Sequence, residues 1–124
     1  DYYGGKLTGK KITVLGWAFK ANTNDSRKSP AIHIIKRLYN AGASIEIYDP
    51  MVKDKTIYND IKMYWNTEPV NENLKILNKV EPENLKNDVT VILTEWEEFK
   101  KLDYSKTKLF DGRYIISNKI VEEN

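Results

Sequence analysis

Apolar residues in the first fifty positions follow two alternating periods. The run KITVL at 11–15 is continuous, the stretch at 31–39 places apolar residues at three- and four-residue spacing, and SIEIY at 44–48 alternates apolar with polar residues. A short continuous apolar run is typical of a strand buried in a parallel sheet, and the wider spacing is typical of an amphipathic helix. The pattern therefore predicts strand, helix and strand in a right-handed unit with parallel strands.

Both ends of the predicted helix carry boundary signals. Ser29 stands before Pro30, and Gly42 follows the last apolar position. A serine side chain can cap free backbone amides, and proline at the first helical position gives up an N–H that had no partner. Glycine accepts the left-handed conformation that often ends a helix. The predicted helix is thus delimited on both sides.

The second half of the chain has a weaker pattern up to residue 88. Between 51 and 88 the apolar residues keep no single period, which predicts one or two short helices with an irregular excursion. VTVIL at 89–93 predicts a third buried strand, 95–101 a short helix, and KLFD at 108–111 a fourth strand. Alternating strands and helices predict an α/β fold, a Rossmann-like three-layer sandwich with a mainly parallel, doubly wound sheet.

Composition narrows the class of protein. The 124 residues suit one domain, 1–124, with 1–9 and 117–124 expected as flexible ends, and the start at Asp1 suggests a fragment. Twenty basic and eighteen acidic residues are interspersed, which argues against a nucleic-acid partner. No apolar run approaches the roughly 20 residues that span a membrane. The chain has no cysteine, which excludes disulfides and suits a cytoplasmic protein.

Ligands of doubly wound sheets bind beyond the carboxyl ends of the strands. The first such loop, GWAFKANTNDSRKSP at 16–30, lacks the further glycines of a dinucleotide phosphate loop but carries Lys20 and Arg27 before a helix start. Fixed cations and a helix N-terminus can bind phosphate. The alternative is a solvated loop, in which Asp25 braces Arg27 or forms a local turn. These residues alone indicate nucleotide or sugar-phosphate binding.

Four other residues invite a choice between chemistry and structure. Asp49 ends the second strand, where dinucleotide folds keep a ribose-binding acid, but before Pro50 a turn role is favoured. Trp17 is expected to pack in the core, and a single histidine, His33, gives a metal site almost no support. Arg113, after Asp-Gly at the end of the fourth strand, is the more suggestive candidate for ligand contact.

Four motifs resemble a known family. ITVLGWAFKANTNDSRKSPA, AGASIEIYDP, VILTEWEEFKKLDY and FDGR occur in order between Gly9 and Tyr114. Together they resemble the C-terminal domain of the UDP-glucose/GDP-mannose dehydrogenase family, and the pairing of TEW with FDGR is most similar to the members that act on UDP-glucose. Members acting on GDP-mannose or UDP-N-acetylmannosamine share the first motif. Two residues depart from the family pattern: Asn24 stands where members often have aspartate or glycine, and Lys28 stands where glutamate is common.

The resemblance implies roles for individual residues. Phe19, Lys20 and Arg113 match positions that contact the UDP-sugar, Arg27 matches an arginine that reaches toward NAD, and Asp25 is expected to orient Lys20 or Arg27. Family members oxidise the sugar C6 alcohol twice with NAD, which an N-terminal domain holds, and a central region joins the halves and forms the dimer. The implied partners are therefore a UDP-sugar, these missing domains and a second copy of the enzyme.

The catalytic cysteine of the family lies in a segment that precedes this domain. Because the chain has no cysteine, its own expected contribution is to anchor the nucleotide, and the isolated chain is expected to be inactive. Two alternatives stay open at this point. One is a free-standing nucleotide-binding module, and the other is a structural domain for oligomerisation that uses its three tryptophans, Trp17, Trp65 and Trp96, in contacts.

Overall fold

A five-stranded, entirely parallel sheet organises the chain. The computed structural model describes residues 7–18, 26, 29–65 and 73–112. Its strands are β1 (Lys11–Leu15), β2 (Ser44–Tyr48), β3 (Leu74–Ile76), β4 (Val89–Ile92) and β5 (Lys108–Asp111). Their order is β3-β2-β1-β4-β5, so the chain builds one half of the sheet outward from β1 and then returns to build the other half. This order confirms the predicted doubly wound α/β fold.

Within the described residues, two α-helices and two short 3₁₀ helices connect the strands. Helix α1 spans Pro30–Asn40 and α2 spans Asp54–Trp65, while Pro82–Leu85 and Glu97–Lys101 are 3₁₀ helices. The predicted start of α1 is confirmed, because the Ser29 side chain accepts a hydrogen bond from the Ala31 amide at 3.2 Å. The predicted stop is confirmed as well, since Gly42 has φ of +100°.

The core joins the helices to the sheet. Ile45 and Ile47 alternate with half-buried residues along β2, and they are fully or almost fully buried. They belong to one cluster with Ile32 and Ile35 of α1 and the α2 stripe Ile57, Ile61 and Trp65. That stripe has four-residue spacing, which places its three side chains on one face of the helix. Burying it packs α2 against α1 and the sheet.

The region between 51 and 88 differs from its prediction in one element. The sequence predicts one or two short helices here, and the structure has the α-helix α2 and the 3₁₀ helix Pro82–Leu85. The strand β3 was not predicted, because three residues, Leu-Lys-Ile, are too few to show a period. It forms because Ile45 and Ile47 of β2 pair with Leu74 and Ile76 across the sheet.

The described residues before β1 are attached to the core through Leu7. Leu7 is buried, and its backbone N–H donates to the carbonyl of Ala41 at 2.8 Å. Among the described residues no helix is long and apolar enough to cross a membrane.

Candidate functional site at the carboxyl edge of the sheet

The turn after β1 presses closely against the turn after β4. Gly16 has φ of +108°, and a Cβ atom at this position would lie 2.4 Å from Oγ1 of Thr94. Any larger residue would therefore meet both backbone strain and a steric clash. The glycine in the LGWAFK motif thus allows two neighbouring loops to approach at the point where the strand order reverses.

Asp49 ties three carboxyl-edge loops together. Its Oδ2 accepts hydrogen bonds from the backbone amides of Trp17 at 2.8 Å and Ala18 at 2.9 Å, and from the indole N–H of Trp96 at 3.2 Å. Its Oδ1 accepts from the amides of Met51 and Val52 at 2.9 and 3.0 Å. The predicted turn role is therefore correct but incomplete. This buried carboxylate also fixes the start of the 16–30 loop, and both of its oxygens are occupied.

The carbonyl of Ala18 is held by two hydroxyl groups. Thr94 Oγ1 donates to it at 2.9 Å, and Ser29 Oγ lies at 3.5 Å. All three residues are buried. Because Ser29 also caps α1, the start of the loop, the start of the helix and the turn after β4 share one set of hydrogen bonds. Buried polar groups bonded in this way specify a single backbone arrangement.

Asp60 of α2 holds the two stems of the same loop. Its Oδ2 accepts from the indole N–H of Trp17 at 2.9 Å and from the hydroxyl of Ser26 at 2.6 Å. Trp17 has no exposed surface, and Ser26 is 4% exposed. The loop is thus fixed to α2 on both sides of residues 19–25.

The end of β5 lies next to the end of β4. The Gly112 amide donates to the carbonyl of Ile92 at 2.9 Å, and a Cβ atom on Gly112 would lie 2.9 Å from that carbonyl oxygen. Arg113 follows directly in the sequence. Since β4 separates β1 from β5, Gly112 lies two strands away from the start of the 16–30 loop.

The residues predicted to contact ligands lie outside the described residues. These are Phe19, Lys20, Asp25, Arg27 and Arg113. What the structure describes is their immediate flanks, Ala18, Ser26 and Gly112, all of which are hydrogen-bonded at the carboxyl edge. The individual roles of the five residues stay predictions.

The sequence did not predict the contacts that two residues of this edge make. Thr94 belongs to the TEW motif and directly follows the predicted strand at 89–93. Its contact with Gly16, however, depends on the order of the strands in the sheet. Asp60 lies in the region with the weakest pattern. Its position three residues after Ile57 on a helical face is the only local signal that it borders the core.

The remaining candidates make packing contacts within the chain. His33 is exposed and meets the Tyr64 ring edge-on at 6.3 Å, and the described residues contain no group of three or more His, Asp or Glu that could hold a metal. Trp17, Trp65 and Trp96 are at most 8% exposed. Their rings pack within this chain, so they do not support the alternative of a tryptophan-rich oligomer surface.

Tyr48, the last residue of β2, contacts the 3₁₀ helix that follows β4. Burial, together with the nearby Glu98 carboxylate, raises the pKa of its phenol from 10.0 to about 12. The hydroxyl donates to Glu98 Oε2 at 3.1 Å, and the ring meets Phe99 at a centroid distance of 6.2 Å. Both contacts attach the 3₁₀ helix Glu97–Lys101 to β2.

Two grooves flank the sheet at opposite ends. A groove of about 470 Å³ lies at the carboxyl edge, between the turn 49–54 and Leu77 and Asn78. A cleft of about 350 Å³ lies at the amino edge and includes Lys11, Lys75 and Lys86 in its lining. The first borders the Asp49 turn, whereas the second is a sheet length away from it.

Comparison with known proteins gives the family. The sequence profile of the UDP binding domain of the UDP-glucose/GDP-mannose dehydrogenase family matches residues 13–118. The chain belongs to this family. The match begins within β1 and includes the whole carboxyl edge described above, and it confirms the resemblance found in the motifs.

Relatives with curated descriptions are dehydrogenases. The chain is 35% identical to a UDP-glucose 6-dehydrogenase of Caenorhabditis elegans, over 94% of this chain and 26% of the relative. It is also 35% identical to UDP-glucose 6-dehydrogenase 1 of Arabidopsis thaliana, over 89% and 27%. The chain therefore spans about a quarter of the length of these relatives.

A solved structure shares the fold. It is a UDP-glucose dehydrogenase from the hyperthermophilic archaeon Pyrobaculum islandicum, with a TM-score of 0.72 and 26% sequence identity. The similarity covers 95% of this chain and 25% of that one. The fold described here is thus the fold of one part of a dehydrogenase.

Proposed function

We propose that the chain binds the UDP part of UDP-glucose at the carboxyl edge of its sheet, as one domain of an NAD-dependent UDP-glucose 6-dehydrogenase. The observation that carries the proposal is the double attachment of the 16–30 loop. Asp49 holds its first residues, and Asp60 holds Trp17 and Ser26. A loop fixed at both stems can present cations to a phosphate with little loss of conformational freedom on binding.

Each candidate side chain has a role in this proposal. Lys20 and Arg113, from loops after β1 and β5, neutralise the diphosphate from two sides, and Phe19 packs against the nucleotide. Arg27 reaches toward NAD, and Asp25 orients Lys20 or Arg27. The flanking contacts of Ala18, Ser26 and Gly112 support this arrangement, because all three lie where doubly wound sheets bind ligands.

The dehydrogenase reaction is part of the proposal for the longer polypeptide. The names of the relatives support it, and so does the quarter of their length that this chain covers. NAD, a catalytic cysteine and the surfaces for oligomer formation would come from the other segments. Binding energy from the distant UDP would help hold the sugar C6 at the reacting groups, so losing it would lower turnover as well as affinity. A cytoplasmic location remains an expectation of the same proposal.

Calorimetric titration of the 124-residue chain with UDP, UDP-glucose, GDP and NAD tests the proposal. We expect UDP and UDP-glucose to bind with similar affinity, and GDP and NAD to bind much more weakly. Lys20→Ala should weaken UDP binding about tenfold or more, the scale of a lost hydrogen bond between charged groups. Lys75→Ala, which removes a lysine from the amino-edge cleft, is the matched control and should bind as the wild type does.

Three outcomes would contradict the proposal. The first is that the chain does not bind UDP. The second is that Lys20→Ala and Lys75→Ala weaken UDP binding equally, and the third is that the chain binds GDP more tightly than UDP. The last would keep a nucleotide site but transfer it to the GDP-mannose branch of the family.

A further inference from the structure

We propose that Asp60 is a positioning residue that holds the nucleotide-binding loop in its binding shape. The inference rests on the proposed function, since it names a residue that would act through Lys20 and its neighbours. Asp60 is not part of any of the four motifs, and it lies on α2, more than thirty positions away from the loop along the chain.

One oxygen atom of Asp60 joins the two stems. Trp17, two residues after the end of β1, donates its indole N–H to Oδ2 at 2.9 Å, and Ser26 donates its hydroxyl to the same atom at 2.6 Å. Both donors are buried, whereas Asp60 itself is half-buried. Hydrogen bonds to a carboxylate are stronger than those between neutral groups. Asp60 therefore brings the loop ends to a common point.

Helix α2 is a rigid support for that point. Ile57 and Ile61 are fully buried on either side of Asp60 along the helix. One turn further on, Trp65 donates its indole N–H to the carbonyl of Ile32 at 2.7 Å, and its ring lies 6.5 Å from that of Trp17. The Asp60 carboxylate is thus held in a fixed position relative to α1, which begins immediately after the loop.

The position of the stems decides what the loop can present. Only seven residues, 19–25, separate Ala18 from Ser26, and they include Phe19, Lys20 and Asp25. Arg27 follows Ser26 directly. Releasing the Ser26 stem would leave a longer segment to be ordered when the nucleotide binds, and the cost of that ordering would reduce affinity. Asp60 should thus control affinity without touching the ligand.

The test compares UDP binding among variants of the 124-residue chain. Asp60→Ala removes both hydrogen bonds and should weaken UDP binding about tenfold, while Asp60→Asn, which keeps a neutral acceptor, should restore part of the affinity. Asn59→Ala is the matched control, an exposed residue adjacent on the same helix, and it should stay within about twofold of the wild type. Ser26→Ala removes one bond only and serves as a second, milder variant.

Two readouts separate positioning from a general loss of stability. The Trp17 indole N–H resonance, assigned with Trp17→Phe, should shift in Asp60→Ala and stay in place in Asn59→Ala. In addition, the effect of Asp60→Ala on UDP binding should largely disappear in a Lys20→Ala background, because a residue that acts through Lys20 is not additive with it. If Asp60→Ala weakens UDP binding equally in the wild-type and Lys20→Ala backgrounds, the inference is overturned.

The remaining outcomes distinguish the inference from the proposed function. If the wild type binds UDP and Asp60→Ala binds it equally well although the indole resonance has shifted, Asp60 does not position the loop and the proposed function stands. If the wild type does not bind UDP, the proposed function fails and the inference fails with it. Should Asp60→Ala not fold, unchanged UDP affinity in Ser26→Ala would overturn the inference.

Discussion

The carboxyl and amino edges of the sheet both carry charged and polar side chains, but they use them differently. At the carboxyl edge, buried Asp49 bonds to the backbone of loops, and Asp60 holds two side chains of one loop. At the amino edge, Asn87 bonds to Thr13 and Thr90 and so fixes the turn before β4 to the strands. The lysines around that turn lie at the surface, and Lys86 pairs with Glu83 at 2.9 Å, both more than half exposed.

This difference indicates that loop stems held in place are stronger support for an anion-binding site than a cleft lined by several lysines. Exposed lysines lose side-chain freedom when they bind and are already well hydrated, so they contribute little. A loop held by buried hydrogen bonds is already partly ordered, so it loses less conformational freedom when the ligand binds. Substitutions at the two edges should therefore differ in their effects on stability and on UDP binding.

The largest expected effect is that of Asp49→Asn. Backbone amides now donate to both carboxylate oxygens of Asp49. In asparagine an NH₂ group replaces one of these oxygens and cannot accept, so buried amides would lose their acceptor. We expect the free energy of unfolding in urea to fall by roughly 3–4 kcal/mol. Asp88→Asn at the amino edge, where one exposed carboxylate accepts from the Lys11 amide, should cost about 1 kcal/mol or less. Equal losses would remove the distinction between the edges.

Gly16→Ala should have the next largest effect. Both Gly16 and Gly9 have positive φ, +108° and +84°, but a Cβ atom on Gly9 would meet nothing within 4 Å. Gly9→Ala thus reports backbone strain alone, about 1 kcal/mol, whereas Gly16→Ala adds the clash with Thr94 and should cost roughly 2–3 kcal/mol. Chemical denaturation of both variants measures the difference, and a smaller loss for Gly16→Ala than for Gly9→Ala would contradict the close approach.

Arg113→Ala probes the other side of the proposed nucleotide site. The loss of UDP binding free energy should be about 2 kcal/mol, the scale of a charge-assisted hydrogen bond. Lys11→Ala, which removes a cation that lines the amino-edge cleft, should leave the affinity unchanged. Calorimetry on the two variants decides the point, and unchanged affinity in Arg113→Ala would take this residue out of the site.

The smallest effect concerns the alkaline stability of the Tyr48 corner. Burial and the Glu98 carboxylate raise the pKa of the Tyr48 phenol in the folded chain from 10.0 to about 12. Between these two pH values the folded state keeps a proton that the unfolded state releases, so the free energy of unfolding falls as pH rises through this window. Tyr48→Phe should make that fall shallower in denaturation curves measured across it. An identical slope in both proteins would rule out the contribution of Tyr48.

Local signals were sufficient for the first βαβ unit. The predicted runs at 11–15 and 44–48 coincide with β1 and β2, and the predicted helix at 31–39 is one residue shorter than α1 at each end. Continuous apolar runs, a serine cap and a helix-ending glycine act within a few residues, so sequence alone carries them. The same holds for β4 and β5, apart from one residue at the end of β4.

Contacts between distant segments could not be predicted in the same way. β3 exists because β2 offers a partner, and Asp60 matters because α2 lies beside Trp17 and Ser26. For Asp49 the sequence indicated a turn, but its bonds to Trp17 and Ala18 follow from the neighbouring positions of β1 and β2. The sequence motif thus predicts the loop and its cations, whereas the residues that hold the loop are found only from the arrangement of the strands and helices.

The most direct test of the carboxyl-edge site is a titration of the isotopically labelled chain with UDP, followed by assigned backbone amide resonances. A carboxyl-edge site predicts that the largest shifts occur at Trp17, Ala18, Thr94 and Gly112, the described residues that border the proposed site. It predicts little change at Asn73, Lys75 and Asn84 in the amino-edge cleft. Shifts concentrated in that cleft, with the carboxyl edge unchanged, would contradict it.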